Sequence, residues 1–142
     1  MKTMTAAGLR ISAEALERMV EHCKREYPNE ACGYLGGREG RITRVFPIRN
    51  DAQSPTWYEM SPEEQLKAQK EMRAEGLEHL AVYHSHVATE AFPSRRDIER
   101  ATAVQDFFDG RYVLVTLKDS VPAARAFTIR DGNVAEEELS GE

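Results

Sequence analysis

Two imidazoles and a carboxylate stand close together in this chain: His84-Ser85-His86, then six residues, then Pro93-Ser94-Arg95-Arg96-Asp97. Imidazole nitrogen and carboxylate oxygen both bind zinc, at ~2.0 to 2.2 Å, and a catalytic zinc keeps three protein ligands and leaves its fourth position to water. An H-x-H pair alone is more often a polar strand face, and Ser94 with Asp97 alone is a capping box that satisfies the first amides of a helix. Together they offer three ligands of the right type within fourteen residues, on a strand, a loop and a helix start, in a chain with four histidines. His84, His86 and Asp97 are therefore the candidate zinc ligands. Water at such a site still needs a carboxylate to take up its proton and pass it on. Glu30 and Glu90 are the candidates, and periodicity does not choose between them: Glu30 precedes an apolar strand, and Glu90 lies in the loop between the ligands. His22 and His79 sit in a helix and at a strand entrance without evident partners and are given no function. Cys23 and Cys32 read as buried free thiols, because they fall in different elements and form no C-x-x-C pair.

The elements that must position these groups follow from local patterns. Ala15, Leu16, Met19, Val20 and Cys23 recur at helical spacing after Ser12, and that helix stops before Pro28. Ala31 to Gly37 and Arg41 to Ile48 read as a β-hairpin joined by a Gly-Arg-Glu-Gly turn. After a polar loop, Ser61-Pro62-Glu63-Glu64 opens a second helix reaching about Ala74. From Glu78, Leu80, Val82, His84 and His86 fall on one face of a strand, since side chains alternate with period two, and the two histidines project side by side. Pro93-Ser94 opens a third helix through about Phe107, and Arg111 to Leu117 and Ala123 to Arg130 are strands, the latter ending in an Asp131-Gly132 turn. The acidic tail from Glu136 is expected to fray. The result is one α/β domain over 1–142, its core about 11–130, with a mixed sheet and helices packed against it.

A chain of 142 residues with 41% hydrophobic and 30% charged residues can bury one sizeable core as an ordinary globular protein. With a net charge of -5 and its Lys and Arg scattered among acids, it has no basic stripe for a phosphate backbone, so nucleic acid is not an expected partner. No apolar run approaches the ~20 residues that span a bilayer, and no signal sequence opens the chain, so the expected location is cytoplasmic with no membrane partner.

Glu30-Ala31-Cys32-Gly33, followed by Tyr34-Leu35-Gly36-Gly37, then by H-S-H, six residues and P-S-x-x-D, resembles the full signature of the JAMM (MPN+) zinc metallopeptidases. The resemblance spans about Ile11 to Ile129, and Asn50 to Ser61, with Ser54-Pro55 and Tyr58, looks like the small bacterial and archaeal subgroup. It implies a JAMM/MPN-like, cytidine-deaminase-like fold, zinc on His84, His86 and Asp97, Glu30 as general acid/base, and Ser94 helping to hold the oxyanion. Helix capping is the structural alternative for Ser94, and one side chain is not expected to do both. Val87 departs from the proline many members carry after the second histidine, which bears on loop shape. By resemblance the substrate is a ubiquitin-like or sulfur-carrier protein with a C-terminal Gly-Gly tail, cleaved just after that tail by a monomer or homodimer. In the subgroup it is a sulfur carrier loaded with cysteine, whose release feeds cysteine biosynthesis. The chain has no room for the insertions with which eukaryotic deubiquitinating relatives grip a second ubiquitin. Two other functions stand beside it: a non-catalytic MPN-type binding scaffold, a class whose members usually lack one or more of these ligands, and a zinc hydrolase acting on a small amide, which would share every one of them.

Overall fold

Ser12, Ser61 and Ser94 each start a helix, the hydroxyl oxygen of each accepting the amide three residues on. In the computed structural model, which describes residues 8–142, these helices are α1 (Ala13–Glu26), α2 (Pro62–Ala74) and α3 (Arg95–Ala103). The strands are β1 (Leu9–Ile11), β2 (Cys32–Arg38), β3 (Arg41–Ile48), β4 (Glu78–His86), β5 (Arg111–Thr116), β6 (Ala123–Arg130), β7 (Asn133–Glu137) and β8 (Leu139–Gly141). They form one mixed sheet in the order β7-β6-β5-β4-β2-β3-β1-β8. Both faces are covered. On one, Met19 and Cys23 of α1 pack with Leu35, Tyr83, Val113 and Val115; on the other, Ala68 and Met72 of α2 and Ala101 of α3 pack with Phe46, Val82, Leu114 and Phe127. That double covering explains why Leu80 to Tyr83 in β4 and Tyr112 to Val115 in β5 are unbroken apolar runs.

The catalytic geography follows from β4. It runs antiparallel to β2 and parallel to β5, with α3 in the crossover between β4 and β5. His84 and His86 thus lie at the carboxyl end of a central strand whose two neighbours run in opposite directions, the kind of position where open α/β sheets leave a crevice.

Gly33 shows why the E-x-x-G element ends in glycine. A Cβ there would collide with the Tyr83 ring and lie 2.6 Å from the Phe46 carbonyl oxygen. Tyr83 is fully buried and its hydroxyl is 2.7 Å from His22 Nδ1, so the ring has little freedom to retreat. Gly33→Ala is expected to lower the unfolding free energy by about 3 kcal/mol, read as an earlier denaturant midpoint; an unchanged midpoint would show that the ring gives way freely.

Four expectations need correction. The tail from Glu136 is not frayed: β7 pairs with β6 around a turn in which Asp131 and Gly132 both have positive φ, and β8 pairs with β1, carrying the sheet to Gly141. Cross-strand pairs such as Arg125–Glu136 and Arg111–Glu137 hold this edge where apolar side chains are few. The third helix ends at Ala103 rather than near Phe107, because Gln105 turns aside to bond both the backbone and the side chain of Asp131 while Thr102 Oγ1 accepts the Gly132 amide. Leu80 does not share a face with Val82: the β2–β4 register passes from Leu35↔Ala81 to Gly36↔His79, and the extra residue sends Leu80 to the α1 side. His22 is not partnerless, since it pairs with Tyr83. Cys23 and Cys32 are free and buried.

Candidate active site

His84 Nε2, His86 Nε2 and Asp97 Oδ2 converge, 3.1 to 3.3 Å from one another. Ligands ~2.0 Å from a tetrahedral ion lie ~3.3 Å apart. The triangle therefore has the dimensions of three corners of a zinc site, and its donors are lone pairs that cannot all satisfy each other by hydrogen bonding. All three side chains are buried, where unpaired polar atoms are costly. The donor set fits a divalent metal.

Each side chain of the triangle is fixed by its own support. His86 Nδ1 donates to the Glu90 carbonyl at 2.9 Å, which turns the lone pair of Nε2 toward Asp97. The His84 ring stacks on Tyr58 with centroids 4.5 Å apart, its Nδ1 buried without a hydrogen-bond partner among the described residues. Asp97 Oδ2 accepts the Ser94 amide at 2.9 Å while Ser94 Oγ accepts the Asp97 amide at 3.1 Å. The capping box therefore locks the carboxylate in its rotamer. Burial would raise the Asp97 carboxyl, but the two imidazoles facing it outweigh burial and hold the group well below the usual carboxylate range. Burial pushes His84 down; for His86 burial is outweighed by the facing Asp97 carboxylate, which raises it.

Glu30, two residues before β2, lies close enough to His86 and Asp97 to feel their charges. It is 5% exposed, and its carboxyl is pushed up to about 7 by burial, against which the charge of His86 pulls down. The carboxylate oxygens accept no hydrogen bond from the described residues, whereas the backbone around them is clamped. The Glu30 amide donates to Ser54 O at 2.9 Å, and its carbonyl accepts from Asn50 Nδ2 at 2.9 Å. The Ala31 amide donates to Ser85 Oγ at 2.8 Å. Glu90, the other candidate base, is exposed and contributes its backbone carbonyl to His86 instead. A buried carboxylate free to accept, with a raised proton affinity, is suited to proton transfer near neutral pH.

Ser94 is exposed at the rim. Its capping bond uses a lone pair of Oγ, and a hydroxyl keeps its own proton for a second partner. The expected conflict between capping and oxyanion binding does not arise.

Asn50, Ser85 and Tyr58 were not anticipated. Buried Asn50 bonds Glu30 O and Trp57 O through Nδ2 and accepts the amides of Ala52 and Glu59 at Oδ1, pinning the loop 50–60 against the base. The one signal for Ser85 was its place between the histidines, where alternation aims it at the opposite face.

The family described as prokaryotic homologs of the JAB domain matches residues 12–130. The chain is 42% identical over 139 residues to a CysO-cysteine peptidase of Mycobacterium tuberculosis, covering 96% of this chain and 92% of that one. It is 45% identical over 87 residues to a probable TtuB-protein conjugate cleaving protease of Thermus thermophilus, covering 61% and 58% of the two chains. The solution structure of a Desulfitobacterium hafniense protein superposes with a TM-score of 0.83 at 37% identity, covering 94% of this chain and 92% of that one.

Proposed function

We propose that this chain, which belongs to the family of prokaryotic homologs of the JAB domain, is a zinc-dependent peptidase that cleaves the bond just after the C-terminal Gly-Gly of a sulfur-carrier or ubiquitin-like protein. The observation that carries the reading is the triangle of His84 Nε2, His86 Nε2 and Asp97 Oδ2 with the unbonded Glu30 carboxylate beside it. The names of the two relatives, a peptidase acting on CysO-cysteine and a protease acting on TtuB-protein conjugates, support the substrate class. A small carrier conjugate whose release returns cysteine is the substrate we favour, because the match to the first relative runs nearly end to end.

His84, His86 and Asp97 would hold the zinc ion, which when bound supplies a Lewis acid that lowers the pKa of water and polarises a carbonyl. Glu30 takes the proton of the attacking water and delivers it to the leaving amine. The Ser94 hydroxyl, while capping α3 with its lone pair, donates a hydrogen bond to the developing oxyanion. Residues without side chains suit the approach, since a Gly-Gly backbone can enter a narrow groove and pair with a strand edge.

The test is to incubate the zinc-loaded protein with ubiquitin-like carriers bearing a C-terminal extension and to follow the loss of mass, with and without a chelator. Chelator-sensitive cleavage after Gly-Gly is expected; a protein that folds fully without stoichiometric metal and cleaves nothing would be a scaffold instead.

Ser94 allows a finer test. Ser94→Ala and Ser94→Gly both remove the hydroxyl, but glycine keeps most of the capping stability that alanine loses, about 1 kcal/mol. Turnover should fall about 10²- to 10³-fold in both, with only the alanine variant melting clearly earlier. Activity that tracks stability would reduce Ser94 to a cap.

A further inference from the structure

Two guanidinium groups on α3 face the candidate site without a carboxylate partner. Arg96 Cζ lies 3.6 Å from the centroid of the Trp57 ring, and Arg100 Cζ lies 3.8 Å from it. Arg100 also sits 4.2 Å from the Tyr58 ring, the same ring that stacks on His84. Neighbouring Arg95 pairs with Glu99, but no carboxylate comes within ion-pairing distance of Arg96 or Arg100 among the described residues. Both charges act on Glu30, so they belong to the surroundings of the candidate base. Arg96 immediately precedes Asp97 and is exposed, so its cation is reachable from the cleft.

Stacking matters for what this cation can do. A guanidinium held 3.6 Å from the centroid of an indole has lost much of its rotational freedom, and the N–H donors that reach past the ring stay free for a partner. That fork matches the two oxygens of a carboxylate. The backbone that carries the indole is held in place, because Asn50 Nδ2 donates to the Trp57 carbonyl at 3.1 Å and ties the loop to Glu30. The same residue that places the base thus places the shelf under Arg96.

A peptide bond to a single amino acid differs from a lysine isopeptide in one charge. The single amino acid carries a free α-carboxylate next to the scissile nitrogen, and the isopeptide has a methylene chain there. We propose that Arg96, stacked on Trp57 with Arg100 alongside, binds the α-carboxylate of a single amino acid attached to the carrier's C-terminus and so favours it over a lysine-linked partner. The inference rests on the peptidase reading of the site and narrows its leaving group.

The zinc-loaded protein would be given one ubiquitin-like carrier ending in Gly-Gly in three forms: extended by cysteine as the free acid, extended by cysteine amide, and joined to a lysine side chain. The wild type should prefer the free acid over the amide by about 10- to 100-fold in kcat/KM, the strength of one charge-assisted bidentate contact, with most of the difference in KM. In Arg96→Gln the ratio of free acid to amide should collapse toward one, and Arg96→Lys should restore part of it. Equal wild-type rates on acid and amide would overturn the inference. So would an Arg96→Gln variant that slows both alike with the ratio intact, since that is the mark of a staple holding the loop. Failure of the wild type to cleave any of the three forms would sink the peptidase reading itself, and this inference with it.

Discussion

Glu30→Gln is expected to lower kcat/KM by about 10³-fold while zinc content stays that of the wild type. Glutamine has nearly the same shape, and what holds position 30 is backbone: the amide to Ser54 O, the carbonyl to Asn50 Nδ2, and the neighbouring Ala31 amide to Ser85 Oγ. The substitution therefore removes a proton acceptor without moving the loop. The pH profile gives a second reading. Burial raises the Glu30 carboxyl, and the base must be deprotonated to act, so activity should rise with pH on an acid limb lying above the ordinary carboxylate value. A cation bound nearby favours the charged carboxylate and draws that limb back toward the ordinary value. The slow residual activity of Glu30→Gln should lack that limb. A variant keeping a tenth or more of wild-type activity with zinc bound would remove Glu30 from the reaction.

The triangle of donors was legible in the sequence and the choice of candidate base was not, for a physical reason. His84 and His86 share a face because a strand alternates, and Ser94 and Asp97 meet because a capping box closes over three residues; both rules are local. Whether Glu30 or Glu90 reaches the site depends on β2 pairing antiparallel with β4 and on the loop 50–60 folding back over Glu30, contacts between distant parts of the chain. The resemblance to a known signature supplied that choice where composition was silent. The same division explains the fold. Helix starts at Ser12, Ser61 and Ser94 followed from their caps, whereas β1 and β8, three residues each, become strands only through distant partners, β1 beside β3 and β8 beside β1. Leu80 fails for a related reason: alternation holds only while the ladder is regular, and the irregularity opposite Leu35 and Gly36 has no marker within β4 itself.

Asp97 carries two jobs that can be separated, and its replacement should have the largest effect of any single change. Its Oδ2 faces both imidazoles and also accepts the Ser94 amide, so Asp97→Ala removes the anionic ligand and half of the capping box together. Asp97→Asn keeps an oxygen for the Ser94 amide and loses only the charge. Turnover should fall about 10³-fold or more in both, the several kcal/mol that a positioned metal contributes. Stability should divide them: the alanine variant loses about 1 kcal/mol with the cap, and the asparagine variant loses less. The sharper measurement is the melting temperature with and without zinc. A ligand that binds only the folded state at 1,000 times its Kd adds about 4 kcal/mol, so the wild type should melt markedly higher with zinc than with a chelator, and both variants should melt alike in the two conditions. The wild-type shift should shrink as the pH falls, because Asp97 raises the proton affinity of His86 and protons then compete for its Nε2. A zinc-dependent shift that survived in Asp97→Ala would place the metal elsewhere, and the triangle of donors would then be a polar cluster that merely satisfies itself.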